Sequence, residues 1–173
     1  WMAMSYRPAD SVWVGPFLIA SVAAFVLNTR AAEHGPARGA PDGAAIFSIL
    51  GAAAGMTLLA VLVGVSGFSP LDWAFLGVLG AGAIVLARLD ARYEPFAWIA
   101  AGIGAAVLIA WHLQAKAVDT RVFAWTAGAF GLLYGGGGYA AAWGARRPAN
   151  WATLSVFASL LYLLTAYNVL RSP

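Results

Sequence analysis

Six long apolar stretches, separated by short breaks rich in charge, glycine or proline, constrain this chain more than any other feature. They cover residues 11–28, 44–65, 71–87, 96–113, 122–144 and 151–170, and none carries a charged residue near its middle. A membrane-spanning α-helix needs about 20 mostly apolar residues, and inside hydrocarbon its backbone groups must be bonded within the segment. The sequence therefore predicts an all-α fold: a polytopic transmembrane helical bundle of about six spans joined by short loops, forming one domain over residues 1–173.

Composition points to lipid as the surrounding solvent. Hydrophobic residues make up 62% of the chain and charged residues 10%, with a mean hydropathy of +0.78, whereas soluble domains carry about 25% charged residues. The lipid bilayer is therefore the first expected partner. A net charge of +3 is too small and too scattered for a nucleic-acid surface. The absence of cysteine from the sequence excludes disulfides and cysteine-ligated metals.

Tryptophan placement supports the predicted helix ends. Seven of the eight tryptophans lie near the start or the end of an apolar stretch: Trp13, Trp73, Trp98, Trp111, Trp125, Trp143 and Trp151. Indole rings favour the membrane–water interface, because their body is apolar and their N–H group needs a polar partner. These seven residues are predicted to be interfacial anchors.

Loop charges give a predicted orientation. Six arginines fall in the first, third and fifth loops, and four Lys or Arg residues fall on the side of the two termini. Positive residues accumulate on the cytoplasmic side, so both termini are predicted to lie outside. Richness in Ala, Gly and Arg is typical of a high-GC bacterial genome, and the expected location is the bacterial inner membrane.

One short string invites a catalytic interpretation. Residues Gly64, Val65, Ser66 and Gly67 match the G-x-S-G string of the rhomboid intramembrane proteases. That family needs its serine at the start of a buried helix and a histidine from a later helix, but Ser66 ends an apolar stretch. The only later histidine is His112, at the end of the fourth stretch and without the family's glycine-rich motif. We therefore expect no base to reach Ser66 and predict no catalytic residue.

Metal and cofactor sites are not predicted either. His34 and His112 are the only histidines, and neither has acidic partners at ligand spacing. Such isolated side chains do not form a metal site.

Glycine spacing predicts two packing faces. Gly51 and Gly55 are four residues apart, as are Gly131 and Gly135, and Gly138 extends the second face. Small residues at this spacing let helix backbones approach closely in lipid. The run 135–138 is entirely glycine, which leaves a second interpretation open: a kink or break in the fifth helix, as transporters use. Tyr134 and Tyr139 flank this run, and their hydroxyls are expected to face polar partners.

The charged turn 88–95 and the segment that follows carry a family resemblance. The turn ends in Glu94 and Pro95 and leads through Phe96, Ala97 and Trp98 into a helix of Ala, Gly and Leu. This pattern resembles the very large, many-span bacterial "predicted membrane protein" family of unknown function. The resemblance implies that the chain, which opens on Trp1, is an excerpt of a longer protein. It implies no catalytic residue.

The expected role is a structural or interaction module of a larger bacterial envelope protein. Its partners would be other transmembrane helices, from the same longer chain or from a homo-oligomer. The alternative is a transporter or permease subunit in which the glycine-rich fifth helix lines the path. A water-accessible cavity reaching residues 135–138 would favour transport.

Overall fold

The described part of the chain is helical throughout its regular structure. A computed structural model describes residues 13, 16, 17, 19, 20, 24, 43–114, 119–145 and 147–171. Its helices are α1 (Gly43–Val65), α2 (Pro70–Leu89), α3 (Glu94–Gln114), α4 (Thr120–Gly131), α5 (Gly137–Ala142) and α6 (Pro148–Arg171). A 3-10 turn, Ala91–Tyr93, precedes α3, and a π turn, Leu132–Gly136, joins α4 to α5. The all-α prediction is confirmed for these residues.

Four helices are long and apolar enough to cross a membrane. They are Ile46–Val65, Pro70–Leu89, Ala91–Gln114 and Pro148–Arg171, and they correspond to the second, third, fourth and sixth predicted spans. The predicted fifth span is helical over residues 120–142, but the five-residue π turn divides it into α-helices of twelve and six residues. We call α4, the π turn and α5 together the split helix. Most of the predicted first span, 11–28, lies outside the described residues.

Contacts within the chain form two compact units, residues 1–76 and residues 77–173. In the first unit, α1 ends in a glycine cap. Gly67 adopts a φ of +78°, and the N–H of Phe68 bonds the carbonyl of Val63 at 2.9 Å. This is the pattern of a Schellman cap, which ends a helix at a left-handed residue. Pro70 then opens α2, because a first-turn proline lacks only an N–H that would have no helical partner.

In the second unit, α6 has the most helical neighbours. It contacts α4, the π turn, α5 and α3. The largest fully buried side chains of this unit are Tyr93, Leu108, Phe123, Tyr134, Leu154 and Tyr162. The core is therefore built around aromatic residues, and glycines bring the helices close to them.

Large apolar side chains also cover the outer surface of this unit. Examples at half exposure or more are Val85, Leu113, Leu132, Leu163 and Leu164. Soluble monomers rarely expose apolar patches of such extent. In hydrocarbon the same surface is well solvated, which fits the four candidate spans.

Candidate functional site

Two tyrosines form the centre of the second unit. The rings of Tyr134 and Tyr162 are parallel to within 2°, with centroids 6.0 Å apart. Phe130 lies beside both, at 6.3 Å and 6.0 Å. Tyr134 is 0% exposed and Tyr162 1%, so two hydroxyl groups are carried into the interior of the unit.

The hydroxyl of Tyr162 fits against a glycine of α3 and is hydrogen-bonded there. It donates to the carbonyl of Ala101 at 2.8 Å. A Cβ atom on Gly104 would lie 2.6 Å from that hydroxyl and 3.1 Å from Cδ1 of Phe130. Only glycine leaves this space open. We call Gly104, Ala101, Phe130 and Tyr162 the Gly104 socket.

The hydroxyl of Tyr134 fits against a glycine of α2. A Cβ atom on Gly80 would overlap the hydroxyl, and it would lie 3.0 Å from Cζ of Tyr134 and 3.2 Å from Cδ2 of Leu133. The hydroxyl is buried and has no hydrogen-bond partner among the described residues. We call Gly80, Leu133 and Tyr134 the Gly80 socket.

Tyr134 and Tyr139 flank the glycine run, and their surroundings differ from the expectation that their hydroxyls face polar partners. Tyr134 was expected to reach a polar partner, but stacking on Tyr162 fixes its ring so that the hydroxyl ends at the backbone of Gly80. Tyr139 is 62% exposed, with its ring 5.9 Å from that of Trp143. A buried hydroxyl without a partner costs about 1–3 kcal/mol, so packing outweighs polar pairing at Tyr134.

Both sockets lie midway along their helices. Gly80 is the eleventh of the 20 residues of α2, and Gly104 is the eleventh of the 21 residues of α3. If these helices cross a bilayer, both hydroxyls lie near its midplane.

The glycines of the split helix face α6. Cβ atoms added to Gly131 and Gly138 would lie 3.4 Å from Cβ of Tyr162 and 3.2 Å from the backbone nitrogen of Ser155. One added to Gly135 would overlap the hydroxyl of Ser159. The two helices therefore touch at backbone distance along this face.

The π turn lies within this contact. The N–H of Gly137 is shared among the carbonyls of Leu132, Leu133 and Tyr134. The hydroxyl of Ser155, on α6, donates to the carbonyl of Gly135 at 2.6 Å. A side chain of the neighbouring helix thus bonds a carbonyl of the irregular turn, and π turns of this kind are frequent at functional sites.

The other proposed packing pair lies on α1, in the first unit. Gly51 is exposed and Gly55 is half-buried. This exposure does not by itself give Gly51 a packing partner.

The seven tryptophans divide into two groups. Trp13, Trp125 and Trp143 are 74–80% exposed, whereas Trp73, Trp111 and Trp151 are buried. Trp98 is half-buried, with its ring 5.8 Å from that of Phe157. For all seven the interfacial position stays a prediction, and the buried three show that an indole at a helix end can also pack on aromatic neighbours. Trp111, for example, lies 5.4 Å from Phe123.

Ser66 does meet a carboxylate, contrary to the expectation that no base reaches it. Its hydroxyl donates to Asp72, which is 1% exposed. Positive φ angles at Gly67 and Phe68 reverse the chain and bring the first turn of α2 back to the end of α1. The start of a helix also favours an anion. The Ser66–Asp72 hydrogen bond therefore joins the end of α1 to the first turn of α2.

Catalytic partners familiar from serine hydrolases and metalloenzymes are not assembled in the described residues. His112 packs its ring 6.3 Å from that of Phe123. Across residues 43–114, 119–145 and 147–171, no three His, Cys, Asp or Glu side chains come together as metal ligands.

A charged cavity of about 510 Å³ lies at the end of the second unit where α2 meets α3. Arg88 donates to the carbonyl of Trp143 at 2.9 Å, and Arg92 pairs with Asp90 at 3.0 Å. Glu94, on the same rim, accepts from the side chain of Asn150 at 2.9 Å. The charged groups therefore tie the turn between α2 and α3 to the segments around it.

Comparison with protein families, with curated proteins and with solved structures gives no match to this chain.

Proposed function

We propose that this chain is a membrane-embedded structural or interaction module of a larger bacterial envelope protein. The observation that carries the proposal is the seating of Gly131, Gly135 and Gly138 on α6. These glycines are used for close contact between helices, which is their commonest use in lipid. Close contact of this kind supports packing as the role of the glycine run.

The surroundings of the glycine run support the same role. Gly135 and Gly138 are buried. Opposite them on α6, Ser155 donates a hydrogen bond to the carbonyl of Gly135, and Ser159 packs against Gly135. Transport sites at the membrane midplane usually combine a broken helix with a polar, water-reached cavity. Here the layer next to the run is aromatic: Phe130, Tyr134 and Tyr162.

A transporter or permease subunit is the second candidate. The π turn and the hydroxyl of Tyr134, which has no partner among the described residues, favour it, because buried polar groups without partners are rare and mark bound water or ligand sites. Both features lie where a substrate path would cross the midplane.

Flux measurements separate the two candidates. Purified chain is reconstituted into vesicles carrying a pH-sensitive dye, and proton and solute leak are compared with empty vesicles. The module predicts no leak above the empty vesicles and migration of the native protein in a larger complex on blue-native gels. A leak above the empty vesicles that the parent chain shows and Gly128→Leu retains would establish the transporter instead.

We also propose six spans, with both termini outside the bacterial inner membrane. The four candidate spans and the split helix support this arrangement. Because the sequence has no cysteine, Asp90→Cys and Asp119→Cys can each be labelled with a membrane-impermeant maleimide. The two sites precede and follow α3, so they should label from opposite sides; labelling of both from one side contradicts six spans.

A further inference from the structure

An open groove runs along one side of the second unit, between α4 and α6. It consists of two adjoining hollows of about 370 Å³ and 350 Å³ that share Ala124. The outer hollow is bordered by Arg121 and Trp125, and the inner one by Gly128 and Gly131. Small residues of α4 form its floor, so the groove follows the helix from its first turn inward.

The groove has the length of one membrane leaflet. From Arg121 to Gly131 is ten residues, or about 15 Å along an α-helix. The hydrocarbon core of a bilayer is about 30 Å thick, so each leaflet contributes about 15 Å. The inner end of the groove, at Tyr162, coincides with the level of the two sockets.

The outer end of the groove carries positive charge. Arg121 is exposed and lines the outer hollow. The carboxylate of Asp119 is engaged as the cap of α4, accepting from the backbone N–H groups of Arg121 at 2.9 Å and Val122 at 3.3 Å. Arg121 is the only charged side chain among the described residues that line the two hollows.

A second transmembrane helix fits this surface poorly. Such a helix needs a face along the full span, but from the π turn onward the split helix projects Leu132, Tyr139 and Trp143, which are 62–75% exposed. The surface formed by small residues therefore covers only half of the membrane span. A lipid of one leaflet extends over only that half of the bilayer.

We propose that this groove binds one anionic phospholipid of the bilayer. Its phosphate lies at Arg121, beside the indole of Trp125, and one acyl chain lies along Ala124, Gly128 and Gly131. The inference depends on the placement of these helices in a membrane and not on the role proposed above.

Native mass spectrometry of the detergent-purified chain tests the site, using phosphatidylglycerol and neutral phosphatidylcholine as probes. The parent should bind phosphatidylglycerol more tightly. Arg121→Gln should weaken that binding about five-fold, the effect of one cation near an anionic surface, and leave phosphatidylcholine unchanged. Arg147→Gln, an exposed arginine before α6, is the matched control and should change neither.

Filling the groove tests the acyl chain. Gly128→Leu enters open space, since no atom lies within 4 Å of its added Cβ, so the fold should tolerate it. It should weaken both lipids about ten-fold, the loss of roughly two methylene contacts. Gly102→Leu, equally unobstructed on α3, should have no effect. Unchanged lipid binding in Gly128→Leu overturns the proposal, and so does conversion of a dimer to monomers by that substitution without loss of lipid.

Discussion

The Gly104 socket and the Gly80 socket each accommodate a tyrosine against a neighbouring helix, but they differ in the hydrogen bonding of the hydroxyl. In each, a tyrosine hydroxyl ends against a glycine halfway along a neighbouring helix. Tyr162 bonds the carbonyl of Ala101 at 2.8 Å, whereas Tyr134 has no partner among the described residues. One socket is therefore specific for a hydroxyl and the other only for the shape of the ring.

The difference shows what glycine contributes inside a membrane bundle. A missing Cβ admits an aromatic side chain to the backbone of the next helix, but it does not supply a polar partner. Whether the hydroxyl is paired depends on where the ring is held. Tyr162 points at a carbonyl that retains a free lone pair, and Tyr134 points at the Cα of Gly80.

The largest effect is expected from disrupting the contact between the split helix and α6, on which both sockets depend. Gly135→Leu places a side chain where the hydroxyl of Ser159 lies and forces the split helix away from α6. Overpacking of this kind costs about 3 kcal/mol or more. SDS titration of the detergent-solubilised chain should show early unfolding, while Gly128→Leu stays close to the parent. If both variants resist SDS equally, the glycines are not a packing face and the transporter hypothesis gains support.

The next effect tests each socket separately. Gly80→Ala and Gly104→Ala should each destabilise the chain by about 1–3 kcal/mol, because one methyl group meets a buried ring. Gly104→Ala should be the more damaging, since its methyl group also displaces the Tyr162 hydroxyl that is bonded to the carbonyl of Ala101. The same SDS titration ranks them, with exposed Gly82→Ala as control. Equal costs would show that the bond to Ala101 contributes little to stability.

Double-mutant cycles measure how much of the destabilisation in Gly80→Ala and Gly104→Ala comes from contact with the tyrosine hydroxyl. Adding Tyr134→Phe should restore about 1 kcal/mol to Gly80→Ala, because the hydroxyl is the atom that the new methyl overlaps. Adding Tyr162→Phe should rescue Gly104→Ala less, since the ring of Phe130 remains. Additive effects in the Gly80 pair would mean that the two groups do not touch.

The smallest effects belong to the tyrosines alone. Tyr162→Phe should cost about 1 kcal/mol through the lost bond to Ala101. Tyr134→Phe should be neutral or slightly stabilising, because it removes a buried hydroxyl that meets no hydrogen-bond partner in the described part of the chain. Both are measured as shifts in the SDS midpoint. A clear loss of stability in Tyr134→Phe would reveal a partner for this hydroxyl, such as a bound water.

Helix positions could be predicted because hydropathy is a local property. Residues 71–87 and 151–170 were predicted from their own composition, and the structure extends them to Pro70–Leu89 and Pro148–Arg171. Glycine spacing predicts a shared face on the split helix. It does not predict which helix lies opposite that face, because the contact with α6 is determined by tertiary packing.

The sockets, the buried tryptophans and the Ser66–Asp72 bond could not be predicted in the same way. Gly80 and Tyr134 are far apart in sequence, and no local pattern links them. An indole at a helix end satisfies the same hydropathy rule whether it faces lipid or, like Trp111, an aromatic neighbour. Asp72 reaches Ser66 only because Phe68 adopts a φ of +63°, a conformation that its residue type does not favour.

The glycine run has a consequence for the register of the split helix. A π turn holds one residue more than an α-helical turn of the same hydrogen-bonded span, so closing it would slide α5 by one position and rotate it by about 100°. In most sequences this shift would bring a side chain to the position of Gly138, where it would clash with Ser155. Here the neighbours of Gly138 toward the turn are also glycine, so the slipped helix would present the same smooth surface. Four identical residues make this contact insensitive to a one-residue insertion or deletion, in evolution as in motion.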